Sequence, residues 1–160
     1  MTVTADLAIS LDGYIAGTDV TIDNPGGDGE PLFEWIHDLA SRREWQGMTG
    51  GEENRDSELM RECFDATGAV VMGRMMYDTG EEFWGDNPPF RTPVFVLGAS
   101  ALRQYLADGL IDELQLHVVP ALLGAGLRLF DGPGRHPRRV EPLRVEETPL
   151  ATHVKYRFAK

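Results

Sequence analysis

The chain has 160 residues, 42% hydrophobic and 26% charged, with a formal net charge of −11 at neutral pH. That length suits a single globular domain over residues 1–160 with a sizeable core. The acidic balance, with a pI near 4.7, argues against a nucleic-acid groove or an anionic membrane surface as main partner, since both need a basic patch. An anionic cofactor stays compatible with it, because one phosphate site needs only a few local donors. No run approaches the ~18 apolar residues of a membrane span. Met1 to Asp6 lack the basic and apolar regions of a signal peptide. The lone Cys63 excludes an internal disulfide, and its helical setting reads as buried and inert. A cytoplasmic protein is the expectation.

Taken in order, Val3 to Ile9 read as a first strand, closed by the Ser10-Leu11-Asp12-Gly13 turn. Thr18 to Gly29 is a loop rich in Gly, Asp, Asn and Pro. Pro31 suits the first turn of a helix in which Leu32, Trp35, Ile36 and Leu39 follow at helical spacing, and the helix is predicted to run to about Trp45. Gly47 to Gly51 break it. Asn54 or Asp56 can cap a second helix whose apolar face is Leu59, Met60, Cys63 and Phe64. The acidic residues of 52–56 suit that helix N-terminus and need no ligand.

Ala69 to Met72 is a continuous apolar run, predicted to be a strand buried on both faces, with a helix starting at Gly73. Thr92 to Leu97 is a second such strand, and Gly98 opens a helix to about Asp108. Leu114, Leu116 and Val118 alternate with Gln115, His117 and Val119, which predicts a strand covered mainly on one face. Val140, Leu143 and Val145 mark a further strand. Thr148 to Ala151 make a hairpin connection to the last strand, from Thr152 to Phe158. Strands alternating with helices first, then consecutive strands, predict an α/β fold with an antiparallel end.

Several positions are candidate sites. Gly73-Arg74, between a strand and a helix, can direct backbone N–H groups and a guanidinium fork toward an anion, although strand–Gly–helix is also a common structural turn. Gly98-Ala99-Ser100-Ala101 offers a second turn of this kind. Asp12 either caps its own turn or orients a substrate polar group or a water. Trp35 is either core or the cover of a flat ring. Asp112 reads as a turn residue and Glu113 as a solvated side chain, because neighbours on a strand face opposite sides. His37, His117, His136 and His153 have no metal-ligand spacing, so no metal is predicted. Gly124-Ala125-Gly126 is a sharp loop, since no helix follows it as a dinucleotide fingerprint requires.

Three stretches carry a resemblance: Ile9 to Gly17, Val70 to Asp78, and above all Gly109 to Asp131. With them the sequence resembles the dihydrofolate-reductase-like family related to the reductase domain of the riboflavin deaminase-reductase (RibD C-terminal domain-like). The resemblance implies a mixed sheet with flanking helices and a cytoplasmic, riboflavin biosynthesis-like oxidoreductase. It would use NADPH to deliver hydride to a C=N or C=O bond of a pteridine- or pyrimidine-like compound, as a 5-amino-6-(5-phosphoribosylamino)uracil reductase does. It places the phosphate end of NADPH at Gly73 and Arg74 and the pyrophosphate at Gly98, Ala99, Ser100 and Ala101. It places the Ser10–Gly13 loop over the nicotinamide and the substrate, with Ser10, Asp12 and Trp35 as substrate contacts and Asp12 as the catalytic candidate. By the same resemblance the Pro120–Gly126 loop would serve partly in subunit packing, which implies a homodimer. Three departures stand out. Met76 replaces a usual Thr, Leu97 replaces a Gly, and Leu97 and Gly98 are joined directly where the family inserts about one βαβ unit, ~30 residues or more. The alternative is a non-catalytic small-molecule-binding or dimeric assembly module that has lost the cofactor site.

Overall fold

The computed structural model describes residues 1–84, 90, 92–97, 101–130 and 138–159. Along the chain run β1 (Thr4–Ser10), β2 (Tyr14–Ala16), α1 (Pro31–His37), α2 (Ala40–Trp45), α3 (Arg55–Asp65), β3 (Val70–Gly73), α4 (Arg74–Trp84), β4 (Val94–Leu97), α5 (Ala101–Ala107), β5 (Glu113–Val119), β6 (Leu127–Arg128), β7 (Val140–Glu147) and β8 (Thr152–Phe158). They fall into two compact units. The first is Met1–Val20, Gly26–Phe33 and Leu102–Lys160, and the second is Thr21–Pro25 and Glu34–Ala101.

The first unit is built on a mixed sheet in the order β1-β5-β8-β7. β1 and β5 are parallel, with Ser10 opposite Val119, and the β5–β8 and β8–β7 pairs are antiparallel. The predicted hairpin closes through Thr148 N–H donating to the Ala151 carbonyl, at 3.0 Å. One face carries Ala5, Ile9, Leu114 and Leu116, with Ile111 and Leu129 buried among them. Leu102, Tyr105 and Leu106 of α5 pack against it. Each aliphatic side chain fully removed from water there contributes about 1.5–3 kcal/mol.

The other face corrects two expectations. Glu113, Gln115, His117 and Val119 are buried as fully as Leu114 and Leu116, so β5 is covered on both sides. Its place between β1 and β8 makes it a central strand, which alternation along one strand cannot reveal. Glu113 is not solvated: its carboxylate lies 2.9 Å from Lys155 Nζ and 2.9 Å from an Arg157 nitrogen. Those hydrogen bonds, Lys155 foremost, hold its pKa below the ordinary glutamate value despite burial. Beside it, His117 Nε2 meets Asp6 Oδ1 at 2.7 Å, and His117 Nδ1 meets His153 Nδ1 at 2.6 Å. The Asp6 carboxylate oxygen accepts a hydrogen bond from Nε2. In a neutral His117 the Nδ1 atom is then the acceptor and His153 the donor.

The helix predicted from Pro31 to Trp45 is two helices. Leu39 between them is extended, and Glu52 N–H donates to the Asp38 carbonyl while Ala40 N–H donates to the Glu52 carbonyl. That parallel bridge between Leu39 and Glu52 overrides the helical spacing. Asn54 is the α3 cap, its side chain accepting from Ser57 N–H at 2.9 Å. Cys63 is half-buried rather than buried. β3 and β4 pair in parallel as a two-stranded sheet, with Val71 opposite Phe95. Both were expected in a strand buried on two faces, yet they are 54% and 57% exposed. An apolar run records strand propensity but not how many faces find a neighbour. A sheet of two strands here fits the direct junction of Leu97 with Gly98.

Candidate functional site

Ser10 and Val119 end the parallel pair β1–β5 at the same level, and the chain leaves both strands there in loops. The first is the Ser10–Gly13 turn, closed by Gly13 N–H donating to the Ser10 carbonyl at 3.0 Å. Gly13 has φ +90°, a conformation that favours glycine. The buried Ser10 hydroxyl donates to Asp12 Oδ1 at 2.5 Å and accepts from Tyr14 N–H at 2.9 Å.

Asp12 then reaches across to the second loop. Its Oδ1 accepts from Leu123 N–H at 3.2 Å and its Oδ2 from Gly124 N–H at 2.7 Å. Leu11 N–H donates to the Ala121 carbonyl in the same contact. These hydrogen bonds to the charged form, the Ser10 one foremost, bring the Asp12 pKa from 3.8 down to about 2. Asp12 is therefore ionised at neutral pH and has both oxygens engaged. It can orient its surroundings, but it holds no proton to give.

The second loop is tied again farther along. The Tyr14 hydroxyl donates to the Gly124 carbonyl at 3.2 Å and accepts from an Arg128 nitrogen at 3.1 Å. The Arg128 guanidinium lies over the Tyr14 ring, 4.5 Å from its centroid. Gly126, at φ +131°, lies so close to β2 that a Cβ would stand 2.2 Å from the Ala16 carbonyl oxygen. Ser10 and Asp12, predicted from sequence, are thus brought together. Tyr14 and Arg128 were missed, because their contact spans 114 positions and exists only through β2–β6 pairing.

The other predicted residues lie in the second unit. Gly73 ends β3 and Arg74 opens α4, as expected. A Cβ on Gly73 would meet nothing within 4 Å, and its φ is not in the glycine-favouring region. The protein itself has no steric need for glycine there, so the open space can admit a phosphate group. Arg74 Nε, however, lies 2.8 and 2.9 Å from the two oxygens of Asp78, one helical turn on, which raises its pKa. Sequence could have shown this pair, since i,i+4 opposite charges meet on a helix. The donor set fits a cofactor phosphate in steric terms, with Asp78 as a competitor for the cation. Met76 is exposed on α4. Trp35 is buried on α1, 7% exposed, as a core residue would be. Gly98, Ala99 and Ser100 lie outside the described residues, as does the Ala101 side chain.

Two shallow pockets of about 390 and 480 Å³ open at the opposite end of the sheet, around Asp112 and Phe158, and none of the predicted site residues lines them. Asp112 there accepts from Val3 N–H at 3.0 Å, a contact across 109 positions rather than within a turn. Among the described residues no group of three acidic, histidine or cysteine side chains could hold a metal ion, and no helix is long and apolar enough to cross a membrane.

Residues 92–154 match the family described as the RibD C-terminal domain. A comparison with curated protein sequences finds no match. Among solved structures, a protein of Shewanella sp. PV-4 described as a riboflavin biosynthesis protein is similar over 100% of both chains, at 20% identity and TM-score 0.66. The deaminase/5-amino-6-(5-phosphoribosylamino)uracil reductase of Thermotoga maritima is similar over 99% of this chain and 56% of its own, at 12% identity and TM-score 0.59. RibD of Acinetobacter baumannii is similar over 99% of this chain and 58% of its own, at 15% identity and TM-score 0.56. The chain thus spans little more than half the length of these last two. The fold is dihydrofolate-reductase-like α/β, with a mixed sheet and flanking helices.

Proposed function

We propose, from the resemblance to the RibD C-terminal domain family, that this single domain is an NADPH-dependent reductase. Its substrate would be a small pteridine- or pyrimidine-like molecule, reduced at a C=N or C=O bond. The observation that carries this reading is the clamped turn. Asp12 fastens the Ser10–Gly13 turn to the 121–124 backbone where the parallel strands β1 and β5 end, the end at which α/β sheets take their ligands. NADPH, when bound, supplies the hydride. Gly73 would admit a cofactor phosphate and Arg74 would offer it donors, together with Gly98 to Ala101. The Ser10–Gly13 turn would lie over the reacting groups, shaping the site and excluding water. Asp12, fixed as an anion, would position this turn or a water rather than donate a proton itself. The reading includes a cytoplasmic homodimer packed in part through the 120–126 loop.

One observation favours the other reading, a binding module without the cofactor. Arg74 already has its charge neutralised by Asp78. NADPH titration followed by the fluorescence of Trp35, Trp45 and Trp84 separates the two. Saturable binding in the roughly micromolar to millimolar range of cofactor and substrate sites, weakened about tenfold by Arg74→Ala, is expected of the reductase. A folded chain that shows no saturation would overturn it.

A further inference from the structure

We infer that the β7 edge of the sheet is a docking surface for a second copy of this chain, with the two β7 strands antiparallel across a two-fold axis. This goes beyond the proposed reductase and uses a surface other than the 120–126 loop. β7 ends the strand order β1-β5-β8-β7, so one of its sides has no neighbouring strand among the described residues. The line of the strand continues back to Arg139, whose carbonyl accepts from Ala159 N–H at 3.2 Å. From Arg138 to Glu147 every residue is exposed except Arg144 and Glu146, which are half-buried and paired with each other.

The order of side chains in this stretch specifies the occupant. Arg138-Arg139-Val140-Glu141-Pro142-Leu143-Arg144-Val145-Glu146-Glu147 holds three arginines and three glutamates, a neutral stretch in a chain of net charge −11. Reversed, the same order is complementary to itself. With the axis between Pro142 and Leu143, Arg138 of one copy meets Glu147 of the other, Arg139 meets Glu146, Val140 meets Val145 and Glu141 meets Arg144. Opposed residues of an antiparallel pair must share a face. The irregularity between Pro142 and Arg144 shifts the alternation by one residue, which is what lets them do so. Val140 and Val145 lie opposite Phe158 and Val154 of β8 on the apolar face, while Glu141 and Arg144 lie opposite Arg157 and Lys155 on the other. The exposed Val140 and Val145 then cover each other, and the Arg144–Glu146 pair of one copy lies between Glu141 and Arg139 of the other. A shift of two residues either way opposes Glu141 to Glu146 or Arg139 to Arg144, so like charges exclude the neighbouring registers. Pro142, with no N–H to offer, falls beside the axis, and the backbone rungs form on either side of it.

Sedimentation velocity of the whole chain over a concentration series tests this. A monomer–dimer equilibrium with a roughly micromolar dissociation constant is expected, as for an interface of modest area. Arg139→Glu and Glu146→Arg should each weaken it at least about tenfold in a protein that still melts cooperatively, since each sets like charges together on both sides of the axis. An equimolar mixture of the two variants should recover the dimer, because every such like-charge contact then becomes an opposite one. A dimer unchanged in Arg139→Glu places the contact elsewhere, as on the 120–126 loop, and overturns this surface alone. A mixture of the two variants that stays monomeric overturns it as well. A wild-type chain that is monomeric up to about 1 mM removes this surface and the loop contact together, and the reductase reading is then decided separately by NADPH titration.

Discussion

At the scale of single residues, Asp12 and Gly73 show how differently two turns can be built. Asp12 has its folded pKa depressed to about 2 from 3.8. A depressed carboxylate stabilises the fold above its ordinary pKa, and that contribution is lost as pH falls through the folded value. The protection factors of the Leu123 and Gly124 amides should therefore be high and constant above about pH 4 and fall toward about pH 2. Asp12→Asn should show fast exchange at both amides at every pH, and equal protection in the variant would remove the clamp. Gly73, with open space over it and no special φ, should accept alanine with a stability change within about 1 kcal/mol. If a cofactor phosphate seats on it, Gly73→Ala should nevertheless lose NADPH affinity. Asp78→Asn should act oppositely, releasing Arg74 and tightening NADPH binding a few-fold, about two- to fivefold. Titrations of the two variants beside thermal melts check both.

Among the elements, β5 is where burial and chemistry coincide. Its flanking strands supply Asp6 on one side and His153 on the other, so His117 stitches three strands with its two ring nitrogens. Removing it takes away the ring-nitrogen partners of both His153 and Asp6. His117→Ala should destabilise by about 1–3 kcal/mol, the cost of disturbing buried polar groups. A double-mutant cycle with His153→Ala in urea should give a coupling of about 0.5–3 kcal/mol, whereas additive losses would show that the two rings act independently. The helix predicted from Pro31 to Trp45 makes the complementary point. Helical spacing was legible there, Pro31 begins the helix as expected and Asn54, one of the two cap candidates, is the cap of α3, but the break at Leu39 needs Glu52, thirteen positions on. No local preference records a bridge of that kind.

Across the whole molecule, charge sets the response to acid. Glu113, held below the ordinary carboxylate range by Lys155 and Arg157, adds to Asp12 a contribution that is full above pH about 4.5 and lost as pH falls. The melting temperature should fall between about pH 5 and 3. Glu113→Gln should flatten part of that slope while lowering stability at pH 7, and an unchanged slope would mean the Glu113 cluster contributes nothing to it.

The order of the longer strands and helices, apart from the break at Leu39, the antiparallel end, the turn at Ser10–Gly13 and the strand–Gly–helix at Gly73 were determined by the sequence alone, whereas the short strands β2 and β6 were not. Periodicity, glycine and proline placement and capping chemistry act over a few residues and leave their mark there. Tertiary structure alone decided that Glu113 is buried and paired, that His117 meets His153, that Val71 and Phe95 stay exposed, and that Asp12 spends its oxygens on a loop 111 and 112 positions away. Each of these depends on which strands become neighbours, and the energy of a contact belongs to the pair in space rather than to either residue's place in the chain.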